Sequence, residues 1–395
     1  MREEKVMQTE YKGKTVLLLD GYGRQIPSIL HQLHELGCVV TTVCESKLDV
    51  GYTSRYPQKR IVVKGIRENK KVYRQEIENE LKRNHYDILF PVLEVATDIC
   101  IDGDFQDRYR NLKIIAASRE AFLKAYDKQQ TMKICMENQI PCPITKMDNE
   151  TMEEFLAKID FPLVAKPRKG SGAAGFKRIM NRKQLYKYLA DGIIKVEEYV
   201  IQELIPEGGL QYGGYVMMDR DHKPQSTLVV ESCRWFPIDG GPGCYIRTIN
   251  HKAMAAYSNR LLECLDWTSF GHIGFIMDPR DHTPKVMEIN GRIPASIKIC
   301  EWAGTKPVKN MLDLAYGKTL TPMKKRIPEN LALRYFHTDL LWLIKNPNRL
   351  KAKPSWFYCR KQRDYIFFWQ DPIPFFSYAI EHILTYRKDM AKRRH

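Results

Sequence analysis

The sequence has no run of 18 apolar residues, no cysteine pair in C-x-x-C spacing, and no internal repeat or low-complexity stretch. The first absence argues against a membrane-spanning helix, which needs about 20 apolar residues to cross the hydrocarbon core. The polar, charged residues 1–14 do not follow the basic-then-apolar pattern of a secretory leader. The ten cysteines are scattered, so reduced structural thiols in a cytoplasmic protein are expected rather than a disulfide framework or zinc knuckle. Acidic residues are scarce: 47 Asp+Glu stand against 63 Lys+Arg, a formal net charge of +16. With 395 residues, 44% hydrophobic and 11% aromatic, the chain is too apolar for disorder and long enough for two or three domains.

The charge is concentrated. Residues 323–395 hold sixteen Lys/Arg and six Asp/Glu, which leaves +10, together with fourteen aromatics including Trp342, Trp356, Trp369, Phe375 and Phe376. Such a region points to an acidic partner, whether nucleic acid, an anionic membrane or an acidic substrate; a solvated basic face over an aromatic core is the plainer alternative.

Residues 15–20, 38–43, 86–91 and 112–116 are short apolar or β-branched runs of the kind buried in a sheet. Between the first two, Ile29, Leu30, Leu33 and Leu36 recur at helical spacing until Gly37. Strand, helix, strand at this spacing predicts an α/β, Rossmann-like domain with a parallel sheet over residues 1–117. Its ligands belong beyond the carboxyl ends of the strands, near Gly21, Tyr22, Gly23 and residues 91–94. The glycines do not complete G-x-G-x-x-G, so no dinucleotide site is read from them.

From residue 118 the pattern changes. Ser118 is placed to cap a helix that runs through Lys128 until Pro141 and Pro143 break it. Residues 161–167 read as a strand carrying Lys166 near its end, followed by Arg168, Lys169, Gly170, Ser171, Gly172, Ala173, Ala174 and Gly175. Small residues let backbone N–H groups approach phosphate oxygens while lysines neutralise them. The same string would serve as a flexible hairpin tip, and it is not a Walker A loop. Further strands at about 193–205, 212–218, 227–231, 271–278 and 285–290 describe an α+β domain.

The order of these pieces is more informative than any one of them. Lys128 precedes Ile140-Pro141-Cys142-Pro143, Lys166 precedes the small-residue loop, Gln202-Glu203-Leu204-Ile205 closes the next strand, and Glu288-Ile289-Asn290-Gly291-Arg292 ends the last. With Arg234-Trp235-Phe236-Pro237, Gly240-Gly241-Pro242-Gly243 and Leu314-Ala315-Tyr316-Gly317-Lys318, this order resembles the ATP-grasp superfamily over residues 15–320. The branch resembled is that of the carbamoyl-phosphate synthase large subunit and the carboxylate–amine ligases. The resemblance implies a Rossmann-like pre-ATP-grasp domain (1–117) and an α+β ATP-grasp domain of two subdomains (118–322). The small nucleotide-clamping subdomain would span about 130–204, and residues 323–395 would form a basic, aromatic-rich extension.

It also implies roles. Lys128 and Lys166 would contact the phosphates of ATP, and the loop of Lys169, Gly170, Ser171, Gly172 and Gly175 would fold over them. The main chain of Gln202, Glu203, Leu204 and Ile205 would meet the adenine edge, and Gln211 stands where the family often has a ribose-binding carboxylate. Glu288 and Asn290 match two metal ligands. On alternate residues of one strand they point to the same side, which suits Mg²⁺, or Mn²⁺ in its place. Arg292 would reach a phosphate.

Two positions depart from the pattern: Gly274 stands where a further carboxylate ligand is common, and His272 where some branches carry arginine. Glycine offers no ligand atom, and histidine is a conditional cation. Asp278 is four residues along, about 13 Å, too far to substitute. Either the metal keeps more water, or ATP hydrolysis has weakened.

The implied activity is an ATP-dependent ligase that activates a carboxylate as an acylphosphate and couples it to an amine or similar nucleophile. Arg292, Arg234, Arg247 and His272 are the candidate catalytic set. Arg234 and Arg247 flank the turn at 240–243 and would hold the acyl acceptor or the acylphosphate, unless they form ordinary ion pairs. Partners are then a small carboxylate and an amine, and a homodimer is compatible. The second reading is a nucleotide-binding sensor or scaffold at an acidic surface. Nucleic acid is not favoured, because its usual motifs are missing. In the extension, residues 375, 376, 379, 380, 383 and 384 share one helical face with cations following. That suits either a helix at the anionic inner surface of the membrane or one packed on the body.

Overall fold

A computed structural model describes residues 10–170, 175–238, 240–323, 326–358 and 360–394, with the backbone alone from 385. The first domain holds strands β1 (Thr15–Leu18), β2 (Val39–Cys44), β3 (Lys59–Val62), β4 (Ile88–Phe90) and β5 (Lys113–Ile114). They form a sheet in the order β3-β2-β1-β4-β5, parallel at every pairing. The central strands are apolar throughout because helices cover both faces: Val16–Leu18 and Ile88–Phe90 are fully buried. The edge strand β3 is Lys-Arg-Ile-Val and largely exposed, so its sequence carries no buried-strand signal.

At the carboxyl ends of β1 and β4, the Asp20 carboxylate accepts hydrogen bonds from the Val92 N–H at 3.2 Å, the Leu93 N–H at 2.7 Å and the Tyr73 hydroxyl at 3.1 Å. This ties together the two loops that face the rest of the chain.

A small sheet follows, β6 (Leu163–Pro167), β7 (Lys177–Ile179) and β8 (Tyr199–Glu203), in the order β7-β6-β8 and antiparallel. It has its own core of Phe155, Leu163, Ala165, Ile179, Leu185 and Ile201. The helices Arg119–Tyr126 and Lys128–Glu137 pack elsewhere. Their Ala121, Ala125, Met132 and Cys135 join Val216, Leu261, Ile273 and Ile289 of the larger unit. Lys128 therefore stands on the larger unit and Lys166 on the smaller, so by packing the clamp begins after Pro143 rather than near 130.

The larger sheet contains β9 (Gln211–Met218), β10 (Pro224–Trp235), β11 (Gly243–Ile249), β12 (Ser269–Met277), β13 (Pro284–Asn290), β14 (Ala332–Arg334) and β15 (Gln362–Asp364). Its order is β13-β12-β9-β10-β11-β14-β15. The extension is thus not an appendage, since β14 and β15 complete this sheet. It is locked by a buried carboxylate. Asp339 accepts from Arg234 Nε at 2.6 Å and Nη2 at 2.9 Å, and pairs with Arg334 at 2.7 Å. Arg234 also donates to the Pro354 carbonyl at 3.0 Å and lies on the rings of Tyr245 and Trp342. With a side chain 1% exposed, Arg234 is a structural anchor. The expectation that it holds an acyl group is corrected: its three nitrogens already have partners and water cannot reach them.

The chain then returns to the first domain. Asp371 accepts from the Ser54 hydroxyl at 2.5 Å and the Arg55 N–H at 3.0 Å, Ser377 bonds Thr53 at 2.8 Å, and Arg67 pairs with Glu381 at 2.7 Å. One core runs through all three parts, from Val16 and Ile29 through Tyr215 and Leu228 to Leu333, Tyr335 and Ile366.

Removing one member of a buried ion pair strands the other. Asp339→Ala is expected to lower stability by about 3–5 kcal/mol, read by chemical denaturation. A loss under about 1 kcal/mol would show that the two guanidinium groups reach water. A second expectation concerns Asp20, whose carboxyl burial pushes up to about 7. A folded value above the unfolded one means that the fold holds the proton. The contribution of Asp20 to stability is then full below pH 4, falls by a few kcal/mol as pH rises to 7, and is flat beyond. Asp20→Asn should flatten that slope in melts across pH 4–8.

Candidate nucleotide and metal cleft

The cleft is lined by the small sheet on one side, β12 and β13 on the other, and the first-domain loops at one end. The Lys166 side chain leaves β6 and donates to the Met287 carbonyl at 3.3 Å, beside Glu288. Burial pushes its ammonium down to about 8; Glu288 opposes the shift and Lys128 adds to it. Lys128 donates to the Gly170 carbonyl at 2.6 Å, which fixes the start of the small-residue loop. Asp127, which caps the Lys128 helix, is gripped by Arg168 through Nε at 3.1 Å and Nη2 at 2.9 Å. Lys169 and Gly170 are exposed. Ser171 and Gly172 lie outside the described residues. Gly175 has φ +76°, and a Cβ there would meet Pro167 at 2.7 Å, so this end of the loop demands glycine.

At the adenine end, Gln202 is buried and donates to Thr145 at 2.6 Å. The Glu203 carboxylate accepts from Lys285 at 2.6 Å, Arg280 at 2.7 Å and the Ile144 N–H at 3.0 Å. Its own N–H bonds Ile144, while the Leu204 N–H makes a 3.3 Å bond to Pro162; Ile205 is buried. The side chains of Gln202 and Glu203, and the N–H groups of Glu203 and Leu204, thus brace this end of β8 against the 143–145 and 162–164 segments. Gln211 opens β9, paired with Ser232 and Ile276.

Glu288 and Asn290 sit on alternate positions of β13, opposite Gly274 and His272 of β12. Among the described residues the Glu288 carboxylate accepts no hydrogen bond, although it faces Lys166. A partnerless carboxylate beside an amide oxygen fits Mg²⁺ with retained water. Gly291 is required there, because a Cβ would lie 2.7 Å from the Phe122 ring; at Gly274 it would meet only Glu288 Cγ at 3.5 Å. The position opposite Glu288 has room for a side chain.

Burial, with Arg292 adding to it, holds His272 down to about 3. The imidazole is neutral at working pH, so the idea of a conditional cation is corrected, while its buried Nδ1 has no partner. Arg292 pairs with Glu94 at 2.9 Å, which brings the first domain to the end of β13. Arg247 makes a cross-strand pair with Glu231 at 3.0 Å, the ordinary alternative anticipated for it.

One residue escaped the sequence reading. Arg24 follows the Gly21–Gly23 turn and lies 4.6 Å from the Tyr335 ring. Among the described residues it has no carboxylate partner, and the buried Tyr335 hydroxyl has none either. Its neighbour Gln25 donates to the Ile293 carbonyl at 3.0 Å, directly after Arg292. Nothing local marks Arg24, because its meaning depends on Tyr335, more than 300 positions away.

With this geometry in place, comparison with known proteins is decisive for the central domain. Residues 125–296 match the family described as the ATP-grasp domain. The chain contains an ATP-grasp domain. Solved structures agree on the fold around it. Biotin carboxylase from Campylobacter jejuni, solved with β,γ-ATP, superposes with a TM-score of 0.66 at 17% identity, covering 81% of this chain and 74% of that one. The biotin carboxylase domain of Hydrogenobacter thermophilus 2-oxoglutarate carboxylase, bound to MgADP and bicarbonate, gives 0.65 at 15% identity over 81% and 73%. L-Amino acid ligase from Bacillus licheniformis gives 0.61 at 16% identity over 81% and 79%.

Two outcomes are expected of this ATP-grasp cleft. Below pH 8 Lys166 is charged and above it neutral, while phosphate favours the ammonium. Nucleotide binding at pH 9 should therefore take up a proton, and affinity should fall by up to tenfold per pH unit above 8. Calorimetry in two buffers of different ionisation enthalpy reads the uptake, which Lys166→Arg should abolish. Gly274→Asp should fold normally and strengthen the Mg²⁺ dependence of nucleotide binding about tenfold, measured by titration with the metal.

Proposed function

We propose that this chain is an ATP-dependent ligase that activates a carboxylate as an acylphosphate and joins it to an amine or similar nucleophile. The observation that carries this is the meeting of Lys166 from the small sheet with the Glu288 strand of the large one. Cations and a metal-binding carboxylate converge from the two walls of one cleft, which is what a γ-phosphate in flight requires. The neighbours in fold, biotin carboxylases and an L-amino acid ligase, support the class.

A carboxylate oxygen would attack the γ-phosphorus and release ADP; the amine nitrogen would then attack the acyl carbon, expel phosphate and lose a proton. Lys128 and Lys166 neutralise the phosphates, and Lys169 adds charge from the loop. Arg292, fixed by Glu94, keeps guanidinium donors for the transferring phosphoryl group. Glu288 and Asn290 would hold Mg²⁺, whose chemistry there is to neutralise the β- and γ-phosphate oxygens. The chemistry is positioning and charge neutralisation, so no nucleophilic side chain is needed. For the carboxylate substrate the guanidinium of Arg24, which has tyrosine neighbours but no carboxylate partner among the described residues, takes the place first given to Arg234, with His272 Nδ1 as a neutral hydrogen-bonding group.

Gly274 favours a second reading, a nucleotide-binding sensor that does not turn over. ADP release with a panel of amino acids separates the two. Turnover should appear with at least one pair, vanish in Lys166→Ala and Glu288→Gln, and in Arg24→Ala show a KM for the carboxylate raised more than about tenfold with the KM for ATP unchanged. Absence of ADP release with every substrate, together with absence of Mg²⁺–nucleotide binding, overturns the proposal; protection of the fold by ATP without consumption selects the sensor.

A further inference from the structure

The C-terminal helix Ile373–Arg394 has two apolar faces, and only one is covered. Phe375 and Tyr378 pack on the shared core, Ser377 is buried against Thr53, and Glu381 holds Arg67. On the other side Ile373, Phe376, Ile380, Ile383 and Leu384 are 51–75% exposed. At about 100° per residue these five fall within roughly a 100° arc, a continuous stripe along three turns. Trp369, 86% exposed, stands just before it. The six apolar positions anticipated as one face are thus divided, with Phe375 turned inward and Phe376 outward. Because the inner face is fastened by hydrogen bonds and an ion pair, the outer stripe is held open rather than left over, and a contiguous exposed stripe of this kind marks an interaction surface.

Charge selects the occupant. Residues 385–395 carry Arg387, Lys388, Lys392, Arg393 and Arg394 against Asp389 alone, and the extension as a whole carries sixteen cations against six acids. A second copy laid against the stripe would bring together two chains of net charge +16 each, which electrostatics opposes. Among the described residues no helix is long and apolar enough to cross a membrane. An apolar stripe with a tryptophan at one end and a cluster of cations at the other matches the headgroup boundary of an anionic bilayer.

We propose that this helix lies on an anionic membrane surface, with Phe376, Ile380, Ile383 and Leu384 inserted at the headgroup boundary and the basic end set among lipid phosphates. Because its inner face is fastened to Thr53 and Arg67, and Asp371 just before it to residues 54 and 55, the helix carries the whole chain to the surface in one orientation. This inference is independent of the reaction in the cleft.

The test is co-sedimentation of the full chain with extruded vesicles of phosphatidylcholine alone or with about 30% phosphatidylglycerol, at low and high salt. Binding to the anionic vesicles alone, weakened by salt, is expected. Ile380→Glu with Ile383→Glu should reduce partitioning more than about tenfold, and Arg393→Glu with Arg394→Glu should do the same, with unchanged thermal melts. Absence of binding to anionic vesicles, or equal binding to neutral ones, overturns the proposal. So does a concentration-dependent dimer in size-exclusion chromatography that the same isoleucine substitutions dissolve, or salt-sensitive retention of nucleic acid in preference to vesicles.

Discussion

One buried carboxylate organises the molecule. Asp339 sits between Arg234 of the central sheet and Arg334 of the extension. Two guanidinium groups on one carboxylate leave an excess positive charge away from water, a costly arrangement unless other groups share it. Aromatic faces do so. Arg234 lies 4.0 Å from the Tyr245 ring, and Arg334 lies 3.7 Å from Trp356. The aromatic richness of the last fifth of the chain therefore has a structural purpose, in walling an internal charge cluster. Once that cluster forms, β14 is set against β11, the helix of Asp339 covers the sheet, and the chain is aimed back at the first domain.

The cleft follows from this frame. First domain, large sheet and extension share a core, whereas the small sheet has a separate one. Lys166 rides on the separate unit and Glu288 on the frame, so the two opposite charges that meet in the cleft are held by different bodies. The frame also fixes the first-domain end of the cleft. Ile293 receives a hydrogen bond from Gln25 through its carbonyl and donates its N–H to Val92, so the turn after the metal strand is clamped between two loops of the first domain. Asp20, binding Val92 and Leu93, stiffens the same place. A buried carboxyl there is tolerated because it satisfies backbone donors that would otherwise be orphaned where two loops meet.

Much of this was legible in the sequence, and what was missed shares a cause. β1, β2 and β4 announced themselves through apolar runs, because strands buried on both faces must be apolar, and the edge strand β5 was found through the apolar residues around it, among them Ile115, which is buried. Lys128, Lys166, Glu288 and Asn290 could be placed by order alone, since strand and loop lengths fix where they emerge. β3 and β15 stayed hidden: Lys-Arg-Ile-Val and Gln-Arg-Asp are edge strands whose side chains face water. β14 is buried but three residues long, too short for a period to show. Arg234 and Arg24 were misjudged or overlooked for one reason. The groups that matter for each, Asp339 beside Arg234 and Tyr335 beside Arg24, lie about 100 and 300 positions away in the chain, so their surroundings are features of tertiary structure. The resemblance began the clamp at about residue 130, within the helix that starts at Lys128, while packing of Met132 and Cys135 joins that helix to the larger unit.

The two short strands of the extension have one more effect. A sheet ending at β11 would leave one edge of this seven-residue strand open, with the N–H and C=O groups of alternate residues unpaired, a template for the strand of another molecule. β14 covers that edge, and β15 terminates it with three residues of glutamine, arginine and aspartate. Both the brevity and the charge of that last strand discourage further pairing. The segment that looked like a tail is thus also the guard that keeps the sheet from recruiting its neighbours, and a chain cut at residue 322 would lose its resistance to aggregation along with its shape.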